Sequence, residues 1–163
     1  MEWHGILIVD TGPIWELVLY RAVEELRFSS LRRDLKYLVS HETYENCGSF
    51  LAGFGRKTTS ASVVAELYRR IRHTEPRGGH PHLWKQVYEE FKSMGMGEDV
   101  VKLLDMDVDL VTKYGPTDVS LLEIARRNLT KRPVVLTLDR QLHAECKKAQ
   151  IRSELLIEVC NRS

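Results

Sequence analysis

Two short apolar runs, Ile6-Leu7-Ile8-Val9 and Val134-Val135-Leu136, each lead within three residues to an aspartate, Asp10 and Asp139. Strands that are apolar on both faces are buried on both. That points to a parallel sheet covered by helices and away from an antiparallel sheet with one wet face. Ligands of such sheets bind outside the carboxyl ends of the strands. Both aspartates are therefore expected at that edge.

The segments between and around these runs carry helical spacing. Thr11-Gly12-Pro13 breaks the first strand and opens a helix, since proline suits a first helical turn. Ile14, Leu17, Val18, Ala22 and Leu26 continue it at three- and four-residue intervals. A second helix is expected over 32–52, through a polar middle from Ser40 to Asn46. Residues 56–60 are compatible with a strand. A helix is expected to begin near Ser60 or Ser62, with Glu66 in its first or second turn. Breaker residues over 74–81 mark a surface loop, and helices are expected over 82–94 and 97–105.

Tyr114-Gly115-Pro116-Thr117-Asp118 leads into Val119, Leu121, Leu122, Ile124 and Ala125 at helical spacing. Thr117 is the expected N-cap, and Asp118 falls in a first turn, where the helix dipole favours an anion. Residues 134–138 form the next buried strand, Asp139 opens a helix through Leu142, Ala144 and Cys146, and 155–159 is a final short strand. This alternation predicts one α/β domain over 1–163, with helices on both sheet faces and right-handed crossovers.

With 24 Lys plus Arg against 23 Asp plus Glu, the net charge of +1 gives no general attraction to polyanions, so nucleic-acid contact has to be local. Basic clusters such as Arg32-Arg33, Arg69-Arg70-Arg72 and Arg126-Arg127 would serve phosphates if they flanked one cleft, although such clusters ordinarily solvate helix faces. The three cysteines, without a CxxC pair, argue against a disulfide framework and a thiolate zinc site, and favour a reducing cytoplasm. Neither a signal peptide nor a membrane span is expected.

Chemistry concentrates in four acids, Asp10, Glu66, Asp118 and Asp139, each at or near an element boundary. Each alone has an ordinary use: Asp10 as a turn former, Asp118 and Asp139 as helix-start anions, Glu66 as a solvated helical side chain. Gathered in one pocket they would suit Mg2+ or Mn2+, hard cations that take oxygen ligands, keep waters and need neither imidazole nor thiolate. Asp10 and Asp118 are the expected main ligands, completed by Asp139 and Glu66. Thr137 is expected to orient Asp139 or an attacking water, Thr11 to act beside Asp10, and Arg140 to meet a phosphate. Other candidates are weaker. Asp105, Asp107 and Asp109 have an EF-hand spacing, but Leu110 stands where that loop needs glycine. His80 and His82 lack a third ligand, and there is no GxGxxG, P-loop or serine elbow.

The segments Ile8-Val9-Asp10-Thr11-Gly12-Pro13, Ser62-Val63-Val64-Ala65-Glu66-Leu67, Pro116-Thr117-Asp118-Val119-Ser120-Leu121-Leu122 and Leu136-Thr137-Leu138-Asp139-Arg140-Gln141-Leu142 resemble the signatures of PIN domains in order and spacing. The likeness covers about residues 5–159. It implies a three-layer α/β/α sandwich with a parallel sheet in the order 3-2-1-4-5 and the acids at its carboxyl edge. It further implies Mg2+- or Mn2+-dependent cleavage of single-stranded or looped RNA. By similarity to VapC-type toxins it implies an antitoxin partner and a homodimer. A catalytically inactive PIN-like module that binds RNA or protein is the alternative class, and a DNA nuclease is a third.

Overall fold

The two apolar runs become neighbours. In the computed structural model, which describes residues 3–74 and 82–162, β1 (Trp3–Val9) lies parallel to β4 (Val134–Thr137), with Leu7 opposite Val134 and Val9 opposite Leu136. With β2 (Phe54–Ser60), β3 (Met96–Asp99) and β5 (Arg152–Leu155) they form an all-parallel sheet in the order 3-2-1-4-5. Leu7, Ile8, Val9, Val135 and Leu136 are completely buried. This is the double-sided burial their continuous apolar character requires. The helices are α1 (Thr11–Glu24), α2 (His41–Ala52), α3 (Ala61–Thr74), α4 (His82–Met94), α5 (Val108–Tyr114), α6 (Pro116–Arg127), α7 (Arg140–Lys148) and α8 (Leu156–Cys160). They complete a three-layer α/β/α sandwich. Among the described residues no helix is long and apolar enough to cross a membrane. The expected loop over 75–81, with His80, lies outside the described residues.

Four local expectations are corrected. The helix expected over 32–52 is divided into a short 3₁₀ segment (Ser29–Asp34), an extended stretch, and α2. The polar middle is the start of α2: Ser40 accepts from the Thr43 amide while the Thr43 hydroxyl takes the Ser40 amide, a reciprocal cap. The extended stretch is held by Glu16 of α1, whose buried carboxylate accepts the backbone N–H groups of Lys36, Tyr37 and Leu38.

The helix expected over 97–105 is instead β3 followed by a 3₁₀ turn (Leu103–Asp105). Gly95, at φ 60°, ends α4 in a left-handed conformation. The chain after it pairs with β2 from Lys57–Met96 to Ser60–Asp99, and the Thr58 hydroxyl donates to the Asp99 carboxylate at 2.8 Å. The strand expected over 155–159 is β5 up to Leu155 and helix thereafter. Leu156, Val159 and Cys160 fall at helical spacing and are buried, while Ile157 between them is exposed. Finally, Thr117 is not the N-cap of α6. Gly115 takes that place at φ 88°, ψ 163°, a backbone region open essentially to glycine, and Pro116 is the first helical residue.

Candidate functional site

Asp10 sits where β1 becomes α1. Its amide still donates to the Leu136 carbonyl, extending the ladder to β4, and its side chain caps α1 by accepting from the Thr11 amide at 2.6 Å. The other carboxylate oxygen accepts from the Thr137 hydroxyl at 2.7 Å. Thr137 is fully buried at the end of β4, and its oxygen also accepts the Asp139 amide at 2.9 Å. One hydroxyl thus ties the ends of the two central strands to the start of α7. Thr137 positions Asp10 and is itself held by the backbone of Asp139, a more specific arrangement than the sequence suggested.

The other acids arrive on helices that start from the same sheet edge. Glu66, in the second turn of α3, accepts from the Thr11 hydroxyl at 3.2 Å and from Arg70 at 2.9 Å. Thr11 therefore links Asp10 to Glu66, through its amide on one side and its hydroxyl on the other. Asp139 caps α7, taking the amides of Gln141 and Leu142 on one oxygen. Asp118 is in the first turn of α6, and no donor among the described residues binds its carboxylate. A buried contact fixes the relation of α6 to α3: the hydroxyls of Ser120 and Ser60 are 2.7 Å apart, Ser60 caps the Val63 amide, and Ser120 reaches the Thr117 carbonyl.

Asp10, Glu66, Asp118 and Asp139 line one cavity of about 260 Å³ together with Thr11, Gly12, Arg70 and Leu138. Gly12 permits this closure, because a Cβ there would stand 2.9 Å from the Leu138 side chain. The electrostatic consequence falls on Asp118 and Asp10. Burial, then the charges of Asp10, Asp139 and Glu66, push its carboxyl up to about 7. The α6 dipole opposes this by only about 0.3–1 kcal/mol, too little to win. Asp10 is also raised, chiefly by burial, against the lowering hydrogen bonds from Thr137 and Thr11.

The structure therefore brings together all four expected acids and Thr11, with Thr137 directly behind Asp10. Arg140 is exposed and outside the cavity lining. The cation that does line the cavity is Arg70, which the sequence offered only as part of the basic cluster Arg69-Arg70-Arg72. Its signal was present, since Arg70 follows Glu66 by four residues, a spacing that places the two side by side on a helix. Ser60 and Ser120 carried no comparable signal, because their meeting depends on how α3 and α6 pack.

The lining offers carboxylate and hydroxyl oxygens and neither thiolate nor imidazole, which is the donor chemistry of a hard divalent cation. Among the described residues, however, no three of the Asp, Glu, His and Cys side chains are already drawn together as a metal-holding group. Of the four acids, Asp10, Glu66 and Asp139 each have at least one oxygen engaged by a protein donor, and Asp118 has no donor among the described residues. The type and charge of these donors suit a hard cation; their present spacing does not form a ready-made site among the described residues. No protein-family model matches this chain, and no curated protein matches it.

Proposed function

We propose that this protein is a divalent-metal-dependent ribonuclease, cleaving phosphodiester bonds of single-stranded or looped RNA at the acidic cavity. The observation that carries the reading is Asp118: a carboxyl with no hydrogen-bond donor among the described residues, pushed up to about 7 by burial and three neighbouring acids. An uncompensated cluster of like charge is costly to a fold and is relieved by a cation. The likeness of four sequence segments to PIN-domain signatures points the same way.

Asp10 and Asp118 would hold Mg2+ or Mn2+, with Glu66 and Asp139 completing the set directly or through water. The ion would polarise the phosphodiester and lower the pKa of a bound water. The protein's own residues supply position and charge. Thr137 fixes the Asp10 carboxylate, Thr11 spaces Glu66 from Asp10, and Arg70 brings a guanidinium to the wall where a phosphate would lie.

A labelled single-stranded RNA incubated with Mg2+ or Mn2+, with a chelator control, tests the reading. Cleavage is expected from the wild type and its loss from Asp118→Asn, whose fold should be intact. Equal cleavage by wild type and variant, or cleavage indifferent to chelator, rules the proposal out. A second reading, an inactive PIN-like RNA- or protein-binding module, is favoured by the hydrogen bonds that engage three of the four acids. RNA binding without cleavage in Mn2+ would select it.

A further inference from the structure

Next to the acidic cavity lies a larger concavity of about 730 Å³, sharing Gly12, Arg70 and Leu138 with it. We infer that this groove seats the unpaired nucleotide next to the scissile phosphate, with Trp15 under its base and Arg33 and Lys36 on its phosphates. The inference rests on the ribonuclease reading and adds the path of the strand. Arg70 stands at the junction and lines both spaces.

Four features carry it. The volume falls in the roughly 300–1,000 Å³ range of small-ligand sites, enough for a nucleotide unit. Trp15 is half-buried on α1 and packs on the core, which makes it a rigid platform, and aromatic faces stack on any base that is not paired. Arg33 and Lys36 are exposed on the wall, and their charged groups have no carboxylate partner among the described residues. Free cations beside a cleft are the footprint of phosphate contacts. Asp34 is also exposed on this wall. The remaining acid, Glu16, is only 3 % exposed and spends its carboxylate on the Lys36, Tyr37 and Leu38 amides. Glu16 thereby holds the wall that presents Arg33 and Lys36.

The test separates binding from cleavage. Affinity for a fluorescein-labelled 12-nucleotide RNA is measured in chelator across a salt series, using the full chain, the exposed-site variant Arg33→Ala/Lys36→Ala, and Trp15→Leu. Arg126→Ala/Arg127→Ala is the charge-matched control, since these residues lie at the far end of α6, about 12–14 Å along its axis from Asp118. The wall variant is expected to bind at least ten-fold more weakly, with a salt slope smaller by about 1.4, as two lost phosphate contacts on a single strand require. Trp15→Leu is expected to lose about five- to 150-fold, and the control to bind like the wild type. Wild-type affinity in the wall variant, an equal loss in the control, tighter binding of the matched duplex, or no RNA binding by the wild type each overturns the groove assignment. Metal-dependent cleavage of the same RNA by wild type and Asp118→Asn is scored separately and decides the reading beneath it.

Discussion

Replacing Asp118 by Asn should make the metal-free protein more stable, although it removes a charged group from the candidate site. The Asp118 carboxyl is raised from an ordinary 3.8 to about 7 by burial and by Asp10, Asp139 and Glu66. At about 1.36 kcal/mol per pH unit, a fully ionised Asp118 would cost the fold ~4 kcal/mol. The group is only partly buried, so water screening reduces this to roughly 1–3 kcal/mol. The sign follows from proton linkage. Between about 4 and about 7 the folded state binds more protons here than the unfolded chain, so stability falls as pH rises through that window. Asn neither ionises nor repels, and escapes the loss. In chelator at pH 8, a gain of 2 kcal/mol would raise the melting temperature by about 4–8 °C for a domain of this size. Near pH 4.5 most of the gain should vanish, since the unfolded aspartate is then close to its own pKa. Added Mn2+ should reverse the order, stabilising the wild type by mass action and the variant much less. A variant that melts lower than wild type at pH 8 in chelator, or whose advantage is the same at both pH values, would refute the electrostatic account of the cavity.

Three further perturbations follow from named contacts. Thr137→Val keeps the shape but leaves the Asp139 amide and one Asp10 oxygen without their partner; a loss of about 2–4 kcal/mol is expected in urea unfolding, with reduced cleavage and rescue of both by Thr137→Ser. Gly115→Ala meets open space at its Cβ but must adopt φ 88°, so it should cost about 1–3 kcal/mol through the backbone alone, and a cost near zero in calorimetry would contradict the strain assigned there. Glu16→Ala orphans the amides of Lys36, Tyr37 and Leu38; about 2–4 kcal/mol of stability should be lost, together with hydrogen-exchange protection confined to 36–38.

What was legible in the sequence follows from how local each determinant is. Asp10 and Asp139 could be read because a doubly apolar strand leaves few ways to be buried, and the residue after it is then at a known edge. Glu66 and Asp118 could be placed near helix starts by spacing alone. The misread segments depend on partners far along the chain. Met96–Asp99 is a strand because β2 offers it a free edge, whereas its own sequence, with one glycine and two acids, has little strand character. The stretch before α2 is extended because Glu16, some twenty residues earlier, captures its amides. Leu156 to Cys160 is helical because β4 ends at Thr137, opposite Leu155, leaving no ladder to continue. At the site, Arg70 was legible as one of a basic cluster, and its spacing from Glu66 pairs the two on one helix face, while Ser60 and Ser120 emerge only from packing.

The same distinction decides which acid best reports on function. Asp10 caps α1 and binds Thr137, Glu66 binds Thr11 and Arg70, and Asp139 caps α7. Each has an architectural duty, so its loss disturbs both the fold and any chemistry, and inactivity in such a variant would be explained by either. Asp118 has no hydrogen-bond partner among the described residues, and its raised carboxyl predicts a cost to the fold when it ionises without a cation. A residue that a fold would be more stable without requires another reason to be there. If Asp118→Asn gains stability in chelator and loses both cation-dependent stabilisation and RNA cleavage, fold and function separate at a single side chain. If it gains stability and still cleaves, the cavity is electrostatically as described, and the chemistry belongs elsewhere.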